Sequence, residues 1–432
     1  MNGIKNVNGR KLKLKDGMRI ERQRYDEFQE QVEIDDGKPV LRYVVDVAVI
    51  GAGPAGLGVV EEIGGKLTVA LIEEKGWLGG DMWLKGVEQE EFGNPREAIE
   101  RLTNFPENVR VFLKTAALGI YDKGEYLLVP AVRNDQLIEF MAKRVVLATG
   151  AVDSIMLFEN NDWPGVFRRA DALEVINVWG VAPGRKVAVT GGAFPEEITA
   201  ELERWGGIEY IVVPNVRRVE GEDRVERVID ENGNVYEVDA LIMANGRIPD
   251  INPITQAGGK LRFKRGYYMP VLDDEHRIRD GIYVAGSAVS IKPHYANYLE
   301  GKLVGGAYLL REFGHESEPC IYEERLKEYE PIARPVPKLP LDNFNGEDVQ
   351  ICGCGVTLGK VDDVVRSGIT DLQIIKRLTH LAMGFCQGRF CLFNGALLVS
   401  QRSGMGMDRL DIPVARPPIK NVKMKVVAGG RE

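Results

Sequence analysis

An apolar run, Val44-Val-Asp-Val-Ala-Val-Ile50, passes directly into Gly51-Ala52-Gly53-Pro54-Ala55-Gly56 and then into a helix-forming stretch over 57–63. The length and β-branched content of the run predict a strand buried on both faces, as in a parallel sheet. A G-x-G-x-x-G turn between such a strand and a helix has a well-defined use. Gly51 makes the tight turn, Gly53 lets the backbone approach a pyrophosphate, and Gly56 lets the helix pack on the sheet. The helix N-terminus adds free N–H donors and the positive end of its dipole. A second strand over 67–72 ends in Glu73-Glu74, and Glu73 stands 22 positions after Gly51. At that spacing an acidic residue accepts hydrogen bonds from an adenosine ribose; Glu74 takes the role if the strand ends one residue later. An ADP-containing ligand is the expectation.

The same alternation continues. Arg144-Val-Val-Leu-Ala148-Thr149-Gly150 reads as another buried strand with a glycine exit, and Lys186–Thr190 opens a second strand–turn–helix unit through Pro195 and a helix over 196–205. The strand 239–244 closes that unit, and Gly281-Ile-Tyr-Val-Ala-Gly286 returns to the first. Strands alternating with helices predict an α/β fold with two Rossmann-like dinucleotide-binding domains, the second inserted in the first. The expected division is an arm over 1–43, a split first domain over 44–154 and 246–330, and a second domain over 155–245. A proline-rich linker over 331–345 (Pro331, Pro335, Pro337, Pro340) then spaces off a small helical domain over 346–432.

The second glycine turn is degenerate. In Gly191-Gly-Ala-Phe-Pro-Glu196, Ala193 replaces the close-approach glycine, and Glu196 would put a carboxylate beside a pyrophosphate, where like charges repel. Binding of NAD(P)H there is in doubt on the motif alone.

Four of the five cysteines form two tight pairs near the C-terminus: Cys352-Gly-Cys354, then 31 residues, then Cys386-Gln-Gly-Arg-Phe-Cys391. Four thiolates suit soft metals, and both [2Fe–2S] clusters and structural zinc use Cys₄ sets. Gly353, Gly355, Gly384 and Gly388 flank the sulfurs and allow backbone N–H groups to approach them. A [2Fe–2S] cluster is the first expectation; the alternative is a zinc ribbon, which usually carries wider knuckles. Helices are expected at 358–367 and 371–383, between the pairs. Cys320 is left over as a lone thiol.

Composition narrows the function classes. A net charge of −8 argues against a nucleic-acid partner. No apolar run reaches the length of a membrane-spanning helix, and no charged start precedes a signal-type core, so a cytoplasmic protein is expected. Lys11-Leu-Lys-Leu-Lys15 reads as an alternating edge strand rather than a binding patch. Among the four histidines, His294 begins the helix after 281–287, where it could face a cofactor ring, and it reads first as a cap or surface residue; no catalytic acid or base is assigned.

Two resemblances become specific at this point. Residues 44–310 resemble the pyridine nucleotide-disulfide reductase class of flavoproteins through Gly51–Gly56, Leu78-Gly79-Gly80, Ala148-Thr149-Gly150, Trp163-Pro-Gly-Val166, Ala244-Asn-Gly-Arg-Ile-Pro249 and Val284-Ala-Gly286-Ser287. Residues 351–391 resemble bacterioferritin-associated-ferredoxin-like [2Fe–2S] domains through the four cysteines, Lys376-Arg377, Thr379, Met383-Gly384 and Cys386-Gln-Gly-Arg389. The fusion is similar to the larger subunits of opine oxidases, hydrogen cyanide synthase and sarcosine oxidase, and most of all to the alpha-subunit family of archaeal dye-linked L-proline dehydrogenase complexes.

That resemblance implies an electron-transfer subunit of a hetero-oligomer. A partner flavoprotein (beta-type) subunit would oxidise the amino acid, this chain would hand electrons to an acceptor, and FMN would sit at the subunit interface. A stand-alone NAD(P)H:acceptor flavin reductase and a nucleotide-binding scaffold are the alternatives. In FAD-binding members the second fingerprint reads Gly-Asp, whose carboxylate holds the ribityl chain, whereas here the pair is Gly286-Ser287. The neutral, shorter serine leaves three candidates for the first site: FAD, ATP or NAD. The absence of a C-x₄-C pair between the nucleotide-domain strands excludes thiol–disulfide reduction.

Overall fold

The computed structural model describes residues 30–33, 39–85, 91–191, 195–316, 320–334, 336–337, 339, 341 and 345–427. Most of the expected arm, including 11–15, lies outside these residues, as do 192–194 of the second glycine turn, Pro335, Pro340 and the side chain of Cys320.

The first sheet is built around β1 (Pro39–Ile50), which leads into α1 (Pro54–Ile63). β1 lies parallel to β2 (Val69–Ile72), which lies parallel to β3 (Val109–Phe112); on its other side β1 pairs in parallel with β4 (Gln136–Leu147). The short segment Glu30–Glu33 adds to the start of β1 in antiparallel register. Val47, Val49, Leu57, Val60 and Leu71 are fully buried between β1, β2 and α1. Each such aliphatic side chain contributes about 1.5–3 kcal/mol to burial.

The chain then leaves this sheet. β5 (Val166–Arg168), α2 (Arg169–Asn177), β6 (Lys186–Thr190), α3 (Pro195–Trp205), β7 (Glu209–Val212) and β8 (Ala240–Met243) form the second unit, a parallel sheet in the order β5-β8-β6-β7. β9 (Ile282–Val284) returns to the first sheet, where Ile282 sits opposite Val145 and Val284 opposite Leu147. α4 (His294–Lys302) follows β9 and packs on α1 so closely that the two backbones touch. A Cβ on Gly301 would come 2.0 Å from the Ala55 carbonyl oxygen, and one on Gly58 would come 2.3 Å from that of Tyr298. This contact brings the Gly51–Gly56 turn beside Gly286 and Ser287.

The cysteine block consists of a hairpin (Gln350–Cys352 with Val356–Thr357), α5 (Leu358–Arg366), α6 (Leu372–Thr379) and α7 (Cys391–Ser403). Asp371 caps α6 by accepting the Gln373 and Ile374 N–H groups. The expected helix over 371–383 is shorter than anticipated: His380 enters the left-handed region at φ 66° and closes α6 at Thr379. That exit frees the loop that carries Cys386. Val349, Ile351, Val361, Ile375 and Leu398 share one core with Ile248, Tyr267 and Tyr268 of the nucleotide-binding part. The Tyr268 hydroxyl also donates to the Met407 carbonyl at 2.8 Å. Among the described residues, no helix is long and apolar enough to cross a membrane.

Candidate functional site

A cavity of about 350 Å³ opens at the C-terminal edge of the first sheet, where α/β folds bind ligands. Gly51, Gly53, Pro54, Ala55, Glu73, Glu74, Gly80, Ala148, Thr149, Gly150 and Ser287 all line it; Ala52, Gly56 and Gly286 support it from just behind. Gly56 is required there, because a Cβ would sit 1.9 Å from the Gly51 carbonyl oxygen.

Glu73 is buried at the end of β2. Its Oε2 accepts the Ala52 N–H at 2.8 Å, and its Oε1 accepts the Lys75 N–H at 2.7 Å. Burial raises its pKa, against the lowering effect of those two backbone donors. The carboxylate is thereby fixed at the cavity wall with lone pairs to spare. Glu74 is also drawn into the site, but it pairs with Lys420 of the C-terminal segment. Burial pushes its pKa up, and Lys420 and Arg389 more than offset that, so the pKa falls.

Ser287 is buried, and its Oγ accepts the Asn297 amide at 3.0 Å; the same amide donates to the Lys292 carbonyl at 3.1 Å. With Oγ already accepting, the Ser287 O–H is available to donate, the reverse of what an aspartate offers at this position.

The far end of the cavity carries a charge cluster that sequence reasoning did not find. Arg247 Nη2 lies 2.5 Å from Asp81 Oδ2. The guanidinium of Arg169, 4% exposed, contacts Asp153 at 3.2 Å, Glu197 at 3.3 Å and Asp81 at 3.7 Å. Burial opposes ionisation of Asp81, yet Arg247 and Arg169 overcome it and hold its pKa at about 2. His294 is not the surface or cap residue of its first reading: it is buried and lines the cavity, as its second reading had it. Burial, then Lys85 and Arg247, push its pKa down to about 3. These residues come from six separate stretches of chain, so no local spacing announces them.

Four buried polar atoms of cavity-lining residues have no hydrogen-bond partner among the described residues: Thr149 Oγ1, Arg247 Nε, Asn297 Oδ1 and Arg389 Nε. Buried polar groups are normally satisfied.

The cysteines meet beside this cavity. The neighbouring Cys352 and Cys391 thiols, with the backbone N–H groups of Phe390 and Gly388, hold the Cys386 thiol far below the ordinary range against the opposing effect of burial. Cys354 is exposed on the hairpin turn, with its Sγ against Gly384. As placed, no group of three or more His, Cys, Asp or Glu residues among the described ones is arranged to hold a metal ion. The donor chemistry of four sulfurs, one of them bonded by backbone N–H groups, nevertheless fits a soft-metal centre.

A two-unit nucleotide fold with its ligand cavity at the first glycine turn defines an oxidoreductase class. The chain belongs to the pyridine nucleotide-disulphide oxidoreductase family, whose profile matches residues 45–195 and 193–301. Residues 352–431 match the sarcosine oxidase A3 domain. The crystal structure of L-proline dehydrogenase from P. horikoshii is 70% identical, with a TM-score of 0.88, and the match covers 89% of this chain and 80% of that one. The alpha subunit of sarcosine oxidase from Rhizobium meliloti (strain 1021) is 26% identical over 435 residues, covering 89% of this chain. The chain spans only 42% of that relative's length. An opine oxidase subunit from the same strain is 22% identical over 460 residues, covering 89% of this chain and 98% of the relative.

Proposed function

We propose that this chain is the electron-transfer subunit of a hetero-oligomeric dye-linked amino-acid dehydrogenase of the L-proline type, acting in the cytoplasm. The observation that carries the reading is the 70% identity to the P. horikoshii L-proline dehydrogenase over 89% of the chain. In this reading a partner flavoprotein subunit oxidises the amino acid, and this chain passes the electrons to an acceptor.

Residues 44–154 and 246–330 would form the nucleotide-binding domain, 155–245 the degenerate second one, and 346–432 the iron–sulfur domain. The first cavity would hold an adenine nucleotide: FAD, with ATP and NAD as the alternatives. Glu73 would orient the ribose, the Gly51–Gly56 turn would bind the phosphates, and the Ser287 hydroxyl would donate to the ligand beyond them. Cys352, Cys354, Cys386 and Cys391 would hold a [2Fe–2S] cluster, which when bound supplies one-electron transfer. Exposed apolar side chains on the same block (Ile374, Leu378, Met383 and Phe385, the last 78% exposed) support a subunit contact there, with FMN at that interface.

The competing reading, an independent NAD(P)H reductase, is opposed by the first turn of α3. Glu196 and Glu197 stand where a pyrophosphate would need N–H donors, and Glu197 is already engaged by Arg169 and Lys85. The test is co-expression with the candidate flavoprotein partner, followed by an assay of L-proline-dependent dye reduction and analysis of all bound cofactors and metals. The reading predicts dye reduction by the complex and two irons per chain. Zinc in place of iron, or NADH as the effective donor, would replace it.

A further inference from the structure

We propose that the cysteine block is part of the nucleotide site, with Arg389 as a ligand-binding residue that ties occupancy of the cavity to the Cys386–Cys391 loop. The proposal rests on the reading of the cavity as an adenine-nucleotide site. Arg389 and Phe390 line the cavity from within the C-x₄-C segment, and Ile419 and Lys420 line it from the chain beyond α7. The loop is anchored to the nucleotide-binding part at several points. Arg389 Nη2 lies 2.7 Å from Asp250 Oδ2, and the Asp250 N–H donates to the Gly150 carbonyl at 3.1 Å, on the exit of β4. The Asn252 amide donates to the carbonyls of Gln387 at 3.0 Å and Cys386 at 3.4 Å. The Phe390 ring lies under the Arg168 guanidinium, 4.3 Å from its centre.

The pairing with Asp250 leaves Arg389 Nε buried and without an acceptor among the described residues. A guanidinium has a fixed fork of donors; Arg389 meets Asp250 through Nη2 while its side chain, 19% exposed, lines the cavity, so further donors of the fork can serve an acceptor on the ligand. Phosphate and ribose oxygens are acceptors of that kind, and the charge-assisted bond favours phosphate. Because Arg389 lies three residues after Cys386 and two before Cys391, any movement that completes this bond is felt by both sulfurs. A nucleotide would thus order the loop that carries two of the four thiols.

The experiment uses the full chain after removal of co-purifying nucleotide, with ADP as the probe. Calorimetry measures ADP affinity, and hydrogen–deuterium exchange follows residues 51–56 and 384–391 with and without ADP. The wild-type chain is expected to show protection of both segments. Arg389→Met is expected to bind ADP tenfold or more weakly and to lose the protection of 384–391, while Arg389→Lys, which keeps the charge, recovers part of the affinity. Protection of 51–56 with no change at 384–391 in the wild type, or unchanged affinity in both variants, overturns the proposal. Absence of protection at 51–56 in the wild type overturns the nucleotide reading itself.

Discussion

Lys292 Nζ lies 2.5 Å from Glu300 Oε1, with both side chains buried, and the other oxygen of Glu300 accepts the Gly286 N–H at 2.6 Å. The pair fixes the turn that presents Ser287 to the cavity. Removing one partner of a buried pair leaves the other charge uncompensated and costs about 3–5 kcal/mol. Lys292→Met is expected to lower stability by that amount in chemical denaturation. The double variant Lys292→Met/Glu300→Gln, which removes both charges, should recover part of the loss.

His294 should make the protein acid-sensitive well above the carboxylate range. Its pKa falls from 6.5 to about 3 on folding, mainly through burial, then through Lys85 and Arg247, whose effect outweighs Asp81 and Glu197. Because the folded value is the lower one, the unfolded chain takes up the proton first as pH drops below 6.5. Stability is therefore full above 6.5 and declines toward pH 3, with a slope approaching about 1.4 kcal/mol per pH unit. Urea unfolding from pH 8 to pH 4 should show this slope, and His294→Asn should flatten it.

Glu73 and Glu74 are adjacent in sequence but differ in engagement. Glu73 holds the Ala52 N–H of the glycine turn, whereas Glu74 is committed to Lys420. Glu73→Gln is expected to weaken ADP binding by roughly tenfold or more, given the cost of a lost hydrogen bond to a charged group. Glu74→Gln should change it less. Isothermal titration of the two variants side by side checks the difference.

Gly301→Ala tests the contact of α1 with α4. The added methyl would meet the Ala55 backbone oxygen at 2.0 Å, and no flexible side chain is there to yield. The helices must separate, at a cost of about 1–3 kcal/mol. A lower melting temperature together with weaker ADP binding is the expected result, since Asn297 and His294 ride on the displaced helix.

The glycine turn, the strands that flank it and the cysteine pairs were legible because each is a local pattern: an apolar run, a fixed spacing, a pair of thiols. Glu73 could be placed by counting from Gly51. The Arg169–Arg247–Asp81–Glu197 cluster was not legible, because its members lie on separate elements that only the packed fold joins. The sequence could not choose between the two readings of His294 for a related reason: a histidine at a helix start is ordinarily solvated, and only the packed fold buries it at the cavity wall. The end of α6 at Thr379 also escaped prediction, since a left-handed histidine cap has a weaker signature than a glycine.

The return of β9 to β4 has a consequence for synthesis. While the ribosome is still making the inserted unit, the first sheet lacks β9, and β4 presents unpaired backbone at 145–147. The walls of the cavity are then finished by segments emerging later still, at 389–390 and 419–420. Early chains should accordingly be the aggregation-prone species, and ligand retention should be a readout of completed synthesis rather than of the first domain alone.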